Sequence, residues 1–511
     1  MSNNGTGTFL DTDSARAGLG LCLAAYVAYG AVAVILALSL WWCAASWFAS
    51  AMGAWTLYGP AAFVADPYYG TGIIGLVVYA LFTGLPLVMV AYMGSSVRSN
   101  VPNATSVSSY ARWRFGKMAE VFVMAVVLFC LVNTLLSEYI AIGGIFQNFF
   151  GCSPYVPLIV VVRHNNNDLH FHGGLYISII TDMVQTALVL VLVLVSSIYL
   201  GVTFHNNGPL PPMPEYLGAT TAGWKTLATI AIPLTCATFF SDAFWQRVWS
   251  AENNRSLRLG AIVGGVAATV VVFILGFGGI LAYWSGRALI DSPNTNSNFA
   301  FFYAFADPSS GNISSAIIIL ILLFATVMDE SAVDSLQNAI TDVLATFAGF
   351  LGIELGFLPV RALVIIANIP IMAAAAYCAT NGVSILNAYG ISNMLTTMCF
   401  PPLAAGLIPQ LNNYLTTFSS LGACFCSFIT TLVYGVIQYG NVNDGMTALW
   451  WTSAYDWEGY LIAFFSSILF VPILIGVEFA VRAVMGWGYP SFDASQLVVN
   501  SEGAAVPEKQ E

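Results

Sequence analysis

Long apolar runs, separated by short polar stretches, dominate the chain between residues 20 and 482. An α-helix rises about 1.5 Å per residue, so roughly 20 apolar residues cross the hydrocarbon core of a membrane. Lipid offers no partners to backbone amides, and a helix satisfies them within its own segment. The pattern therefore predicts an all-α polytopic membrane protein with about 13 transmembrane helices. The predicted segments are residues 20–42, 43–64, 71–95, 119–146, 154–163, 173–203, 226–246, 259–285, 313–344, 361–381, 384–407, 415–438 and 458–482.

Composition supports a membrane protein and narrows the range of partners. Of 511 residues, 58% are hydrophobic and 8% are charged, which is more apolar surface than a soluble fold can bury. The net charge of −11 argues against nucleic acid as a partner. The nine cysteines show no CxxC or Cys/His spacing, so neither a disulfide framework nor a zinc site is expected. The expected partners are the lipid bilayer and a small-molecule solute, and the oligomeric state is left open.

Lysine and arginine predict the orientation of the chain, because these residues are enriched on the cytoplasmic side of membranes. With the amino terminus outside, most of them fall on the inner side, and the opposite orientation would reverse this bias. We therefore expect a plasma-membrane protein with an extracellular tail at residues 1–18 and a cytoplasmic tail at 485–511. The inner set is Arg98, Arg112, Arg114, Lys117, Arg163, Arg247, Arg255, Arg258, Arg361, Arg482 and Lys509, and the outer set is Arg16, Lys225 and Arg287.

Two places do not fit a regular helical bundle. Residues 20–64 run almost without a polar break, and the apolar run before VVRHNNNDLHFH (161–172) is too short to cross a membrane. One interpretation is a re-entrant or broken segment. The favoured interpretation is a gene-model fault, with a lost exon near residue 42 and retained intron sequence near 161–172.

The segment 43–64 contains ASWFASAMGAWTLYGP (45–60), in which small residues interrupt the apolar run. Gly59 and Pro60 are expected to break the helix. Unwound backbone at mid-membrane exposes carbonyl oxygens, which are good ligands for a small hard cation. The alternative, that the small residues only allow close helix packing, is left open by the spacing.

The segment 313–344 carries many polar side chains at membrane depth, in MDESAVDSLQNAITD (328–342). The helical repeat puts several of them on one face, which must line a water-filled path or pack on polar partners. A buried structural network is the alternative. Asp329 and Glu330 are adjacent and therefore point to different faces. The residues that share the polar face are Ser331, Ser335, Asn338 and Asp342.

Two further carboxylates, Asp182 and Glu138, also fall within apolar segments. Either could take up a proton or steer a cation, and for Glu138 a hydrogen bond to a neighbouring helix is an equally open interpretation. An aromatic cluster interrupted by Ser241 and Asp242 has the composition of a small-solute pocket, although plain packing would also explain it. The aromatic residues are Phe239, Phe240, Phe244 and Trp245.

The run after this cluster concentrates charge and is interpreted as a solvated cytoplasmic loop that includes Arg247. It leads into Gly260, Gly264 and Gly265. These glycines are expected to let the next helix pack closely against its neighbours.

Four motifs in order across residues 43–440 resemble the sodium:solute symporter family. They are GGLYISIITDMVQ (173–185), WQRVWSAENNRSLRLGAIVGG (245–265), SAVDSLQNA (331–339) and the loop VPNATSVSSYARWRFGK (101–117). The resemblance implies a leucine-transporter-like core of two inverted five-helix repeats, with the first and sixth core helices broken. The core would span residues 43–407, after a peripheral helix at 19–42 and before two helices at 408–484.

The resemblance also implies the site residues. A Na⁺ site would use the carbonyls of Ala49, Met52 and Met328 and the hydroxyl of Ser331. The family's second hydroxyl position falls on Ala332, so H⁺ remains open as the coupling ion, and no other cofactor is expected. Coupling or gating is expected at Asp182, Glu330 and Asp334. Substrate contacts are expected at Trp55, Thr56, Glu138, Phe240, Ser241 and Asp242.

The implied function is cation-coupled symport of a small solute by alternating access. The loop at 101–117 also resembles urea-type symporters, so urea or another nitrogenous compound is the expected solute. A non-transporting nutrient sensor on the same scaffold and an inactive product of a faulty gene model are the alternatives. An enzyme is not expected, because no nucleophile–base pair or metal cluster is evident.

Overall fold

The computed structural model describes residues 39–65, 70–101, 106–164, 175–206, 209–288, 296–306, 315–353, 357–381, 383, 385–451 and 456–489. These residues form helices joined by turns and short connections. The predicted helix at 19–42 and both tails lie almost wholly outside the described residues. Of the two places in the gene-model interpretation, residues 165–172 lie outside the described residues, whereas residue 42 lies within the helix Ser39–Ala51.

The first half of the chain forms a set of five segments, the first of which is interrupted. Helices α1 and α2 make up this interrupted segment, with a short 3₁₀ turn between them, and α4 is a short helix in the connection that follows α3. The bounds are α1 Ser39–Ala51, 3₁₀ turn Ala54–Leu57, α2 Gly59–Ala65, α3 Gly72–Asn100, α4 Val107–Phe115, α5 Lys117–Phe150, α6 Tyr155–His164 and α7 Leu175–Asn206.

The second half repeats this order and ends with additional helices. Its first segment is again interrupted, here between α9 and α10, where the axis bends by 54°. The bounds are α8 Thr221–Thr226, π turn Leu227–Ala231, α9 Ile232–Phe239, α10 Asp242–Ser250, α11 Asn254–Trp284, α12 Ala300–Tyr303, α13 Ser315–Phe350, α14 Phe357–Thr380 and α15 Ile385–Ala404. The additional helices are α16 Thr417–Tyr439, α17 Val442–Met446 and α18 Trp457–Met485.

The count of thirteen transmembrane helices is not confirmed. Among the described residues, eight helices are long and apolar enough to cross a membrane, or nine if the bent pair α9–α10 is one span. The interrupted segment α1–α2 has two short arms, and the ten residues of α6 reach only about 15 Å. Helix α15 contains Pro401 and Pro402. Every predicted segment from residue 43 onward nevertheless coincides with one or more helices.

Glycines let α11 pack directly on α1 and α3, as the sequence predicts. A methyl group added at Gly264 would lie 2.8 Å from the carbonyl oxygen of Ala44 in α1. One added at Gly265 would lie 2.7 Å from the carbonyl oxygen of Gly84 in α3. Backbone this close leaves no room for a side chain, so the three helices form one tightly packed unit.

Helix α4 is fixed to the connection between α15 and α16. Arg114 is 5% exposed, and its guanidinium donates to the carbonyls of Gly406 (3.2 Å) and Leu415 (3.1 Å). Tyr110 donates to the carbonyl of Leu403 at 3.0 Å. Arg114 therefore holds two halves of the chain together, in addition to any part it has in orienting the protein.

Candidate functional site

The break in the first segment lies at Met52 and Gly53, before the predicted position at Gly59 and Pro60. Helix α1 ends at Ala51, and Pro60 lies in the first turn of α2, where its missing N–H costs nothing. The prediction of a break was right in kind but wrong in place. The last carbonyls of α1 lose their intrahelical partners at this end of the helix.

The break includes a position at which only glycine fits. A Cβ atom at this position would overlap the carboxyl group of Glu138, which extends from α5. Glu138 is 1% exposed and accepts a hydrogen bond from the backbone N–H of Trp55 at 3.4 Å. The carboxylate thus caps the free amide end of the turn Ala54–Leu57, where the helix dipole favours negative charge.

Three of the four predicted cation ligands meet beside α7. The side-chain nitrogen of Gln185 lies 2.8 Å from the carbonyl oxygen of Met52 and 3.4 Å from that of Met328. Ser331 donates to Asp182 Oδ1 at 2.9 Å. All of these groups are fully buried.

Ala49, the fourth predicted ligand, is in the last turn of α1, and its carbonyl accepts a hydrogen bond from Met52 N at 3.0 Å. Ala332, which replaces the family's second hydroxyl, lines a neighbouring cavity. The four predicted groups, hereafter the cation seat, therefore lie where the broken segment meets α13.

Arg247 is buried at the same junction, so its prediction as a solvated loop residue is wrong. Its side chain is 1% exposed, and Nη2 lies 3.0 Å from Asp182 Oδ2. Nη2 also donates to Ser335 Oγ (2.8 Å), Nη1 to the carbonyl of Ala243 (2.9 Å) and Nε to Ser46 Oγ (3.1 Å). Ser46 in turn donates to Asp182 Oδ2 at 2.6 Å. This set of contacts satisfies a buried charge pair that would otherwise be very costly.

The sequence does contain a signal for this ion pair. Asp182 lies within an apolar segment, where a carboxylate needs a counter-charge. Arg247 follows the predicted segment 226–246 directly, and the bend after Phe239 turns α10 back toward the bundle. Hydropathy ends the segment before the arginine and therefore assigns it to a loop.

A cavity of about 170 Å³ lies beside the broken segment. Trp55, Glu138 and Ser241 line it, as expected for substrate contacts. The structure does not bring the other three predicted contacts to its wall. Each of them contacts other groups instead. Thr56 donates to the carbonyl of Gly53 (2.8 Å), and Asp242 accepts from Val107 N (3.3 Å). Phe240 packs on Phe239 with ring centroids 5.2 Å apart.

Aromatic rings from three segments surround one wall of this cavity. Trp55 stacks on Tyr79 with ring centroids 6.1 Å apart and contacts Tyr389 edge-on at 6.4 Å. Tyr79 belongs to α3 and Tyr389 to α15, and the sequence pattern singled out neither. Together with Glu138 they form what we call the aromatic wall. Aromatic faces and a buried carboxylate are both suited to a positively charged nitrogen.

The other predicted coupling carboxylates lie inside α13. Glu330 is fully buried, Asp334 is 2% exposed, and the two are one helical turn apart. Neither is in the cavity lining, whereas the neighbouring Ser335 is. A hydrogen-bond network lies further along the same helix, where Gln337 donates to Tyr139 Oη at 3.1 Å and Tyr139 donates to Asn368 at 2.6 Å. Some of the polar side chains of α13 therefore have a structural role.

We expect Gly53→Ala to lower stability by about 1–3 kcal/mol, the usual result of overpacking, and to weaken solute binding by displacing Glu138. The measurement is thermal unfolding of the purified protein together with a solute-binding titration. Gly201→Ala in α7 is the matched control, because its Cβ would meet no atom within 4 Å. Equal stability and affinity for both variants would contradict the steric role given to Gly53.

Comparison with known proteins identifies the family and the fold of the chain. The model of the sodium:solute symporter family matches residues 36–346. A curated relative, the spermidine transporter DUR31 of Candida albicans, is 24% identical over 416 residues, which are 81% of this chain and 76% of the relative. The expectation of urea as the solute finds no support in this relative.

Solved structures show the same fold. A Na⁺-coupled sialic acid symporter superposes with a TM-score of 0.65 at 15% identity, covering 91% of this chain and 97% of that one. The nucleobase-cation-symport-1 transporter Mhp1 gives a TM-score of 0.54 at 11% identity, covering 90% and 96%. Both neighbours have the leucine-transporter-like fold. The chain is therefore a membrane transport protein and not an enzyme, and it belongs to the sodium:solute symporter family.

Proposed function

We propose that this protein couples the inward movement of Na⁺ to uptake of a small organic amine of the polyamine class by alternating access. The observation that carries the proposal is the aromatic wall, where Glu138 lies beside Trp55, Tyr79 and Tyr389. The spermidine transporter among its relatives supports the same class of solute. The plasma membrane, with the amino terminus outside, stays the predicted location.

The cavity suits a flexible cation better than it suits urea. A buried carboxylate is costly unless a positive charge pairs with it, and a neutral solute would leave Glu138 without such a partner. The methylene groups of a polyamine would contact the apolar part of the lining. That part includes Leu87, Leu131, Leu234 and Leu336, and hydroxyl and amide groups between them include Ser50, Thr134, Thr238 and Asn393.

The cation seat offers the oxygen ligands that Na⁺ requires. It combines three backbone carbonyls with Ser331 Oγ, whose lone pairs stay available because its proton is directed to Asp182. The negative end of the α1 dipole lies at Ala51 and favours a cation there. H⁺ coupling through Glu330 or Asp334 is the alternative, whereas Asp182 is already paired with Arg247.

Coupling follows from the short distance along the chain between the two sites. Met52 belongs to the cation seat and Trp55 to the aromatic wall, and the turn that joins them is held by Glu138. A cation that orders Met52 therefore also orders Trp55 and the cap on Glu138. The turn is ordered with the cation bound and less ordered without it. The coupling free energy is the difference between the free energies of solute binding in these two states.

Transport by the purified protein in liposomes tests the proposal. We expect uptake of labelled spermidine that requires an inward Na⁺ gradient, and little uptake of urea. Ser331→Ala should raise the Na⁺ concentration for half-maximal uptake roughly tenfold or more, whereas the exposed Ser99→Ala should not. Uptake that ignores Na⁺ but follows a pH gradient would overturn the coupling ion, and preferential uptake of urea would overturn the solute.

A further inference from the structure

Gln185 extends from α7 into the cation seat. It lies one turn after Asp182 and is fully buried. Its amide nitrogen contacts the carbonyl oxygens of Met52 and Met328 at 2.8 and 3.4 Å. One side chain therefore bridges two of the groups that a coupling cation would use.

The surroundings determine which end of the amide faces the seat. Carbonyl oxygens only accept hydrogen bonds, so the NH₂ end of Gln185 must face Met52 and Met328. The other end, Oε1, is buried and has no hydrogen-bond partner among the residues that the structure describes. A buried acceptor without a partner is unfavourable, and such groups are uncommon in folded proteins.

A rotation of the carboxamide by half a turn would exchange the two ends. The terminal torsion of glutamine is broad and nearly two-fold, so this rotation needs no movement of the backbone. With Oε1 directed inward, the seat would gain an oxygen ligand, and it lacks a second hydroxyl because position 332 is alanine. With NH₂ directed inward, the amide protons would repel a cation lying between the two carbonyls.

We propose that Gln185 is a two-position ligand of the cation seat. Its NH₂ group bridges Met52 and Met328 in the arrangement of this structure, and its Oε1 turns inward to coordinate Na⁺. The hydrogen bonds to both carbonyls compete with the cation and set its affinity. They also join the break after α1 to α13 when Na⁺ has left. This inference rests on the proposed function, because it needs Na⁺ at this seat.

Binding of radiolabelled Na⁺ to the purified protein in detergent tests the proposal without transport. Gln185→Leu removes both positions of the amide and should weaken Na⁺ binding roughly tenfold or more. Gln185→Glu presents only oxygens when ionised, so it should bind Na⁺ more tightly than the parent at alkaline pH. Its affinity should fall as the pH is lowered, because a proton restores the donor. Gln438→Glu, at an exposed position of α16, is the matched control and should bind as the parent does.

The outcomes separate this inference from the proposed function. If Gln185→Leu elutes as a folded protein and binds Na⁺ as tightly as the parent, Gln185 is not a ligand. If Gln185→Glu binds Na⁺ with the same affinity as the parent at every pH, the proposed rotation that replaces NH₂ by Oε1 at the seat is also refuted. If the parent binds no Na⁺ while spermidine uptake follows pH, the proposed Na⁺ coupling fails, and the inference fails with it.

Discussion

Arg247→Met should destabilise the protein by about 3–5 kcal/mol, because it leaves the buried carboxylate of Asp182 without its counter-charge. Asp182 is 0% exposed, so water cannot replace the guanidinium. The measurement is thermal unfolding of the purified protein, followed by intrinsic tryptophan fluorescence. We also expect less folded protein in the membrane, since a loss of this size is a large fraction of the roughly 5–15 kcal/mol that stabilises folded proteins.

A double variant distinguishes the pair from a general packing defect. Asp182→Asn combined with Arg247→Met removes both charges, and most of the lost stability should return. Arg258→Met is the control for loss of an arginine, because Arg258 is exposed and donates only to Ser95 among the described residues. Equal melting temperatures for Arg247→Met and Arg258→Met would show that the ion pair adds no stability.

Glu138→Gln should lower the affinity for spermidine by roughly 100-fold, within the range measured when one partner of a buried charge pair is removed. Glutamine keeps a side-chain oxygen that can accept from Trp55 N, so the cap on the broken segment persists while the negative charge is lost. The measurement is the KM for spermidine uptake together with a binding titration on purified protein.

Asp242→Asn is the matched control for this prediction. Asp242 accepts a hydrogen bond from Val107 N and does not line the cavity. Its neutralisation should therefore leave the KM for spermidine unchanged. Asp444→Asn, at an exposed position, controls for expression. If Asp242→Asn raises the KM as much as Glu138→Gln does, the carboxylate that recognises the solute has been assigned to the wrong helix.

The fold follows from sequence to a large extent because lipid imposes a simple requirement. An apolar run of sufficient length must be a helix, so segments such as 71–95 and 119–146 coincide with Gly72–Asn100 and Lys117–Phe150. Helix interruptions are harder to locate from local residues. Pro60 is the obvious local signal, yet the chain breaks at Met52 and Gly53, where a carboxyl group from α5 leaves room only for glycine.

The candidate site follows from sequence only in part, because burial does not reveal which way a side chain points. Trp55 and Ser241 line the cavity, whereas Thr56 beside the first bonds the carbonyl of Gly53 and Asp242 beside the second accepts from Val107 N. Adjacent positions on a helix differ by about 100° in direction, so a side chain can line the cavity while its neighbour in sequence is buried among other residues. Tyr389 reaches the cavity from α15, and no motif marks it.

The glycine contacts of α11 have a consequence for how this carrier changes shape. Because Gly264 contacts the backbone of α1 and Gly265 that of α3, these helices cannot slide past one another without losing their close packing. A change of shape during the transport cycle must therefore carry α1, α3 and α11 together. Sodium at the cation seat would lie between this three-helix unit and α13, where Gln185 also bridges Met52 and Met328.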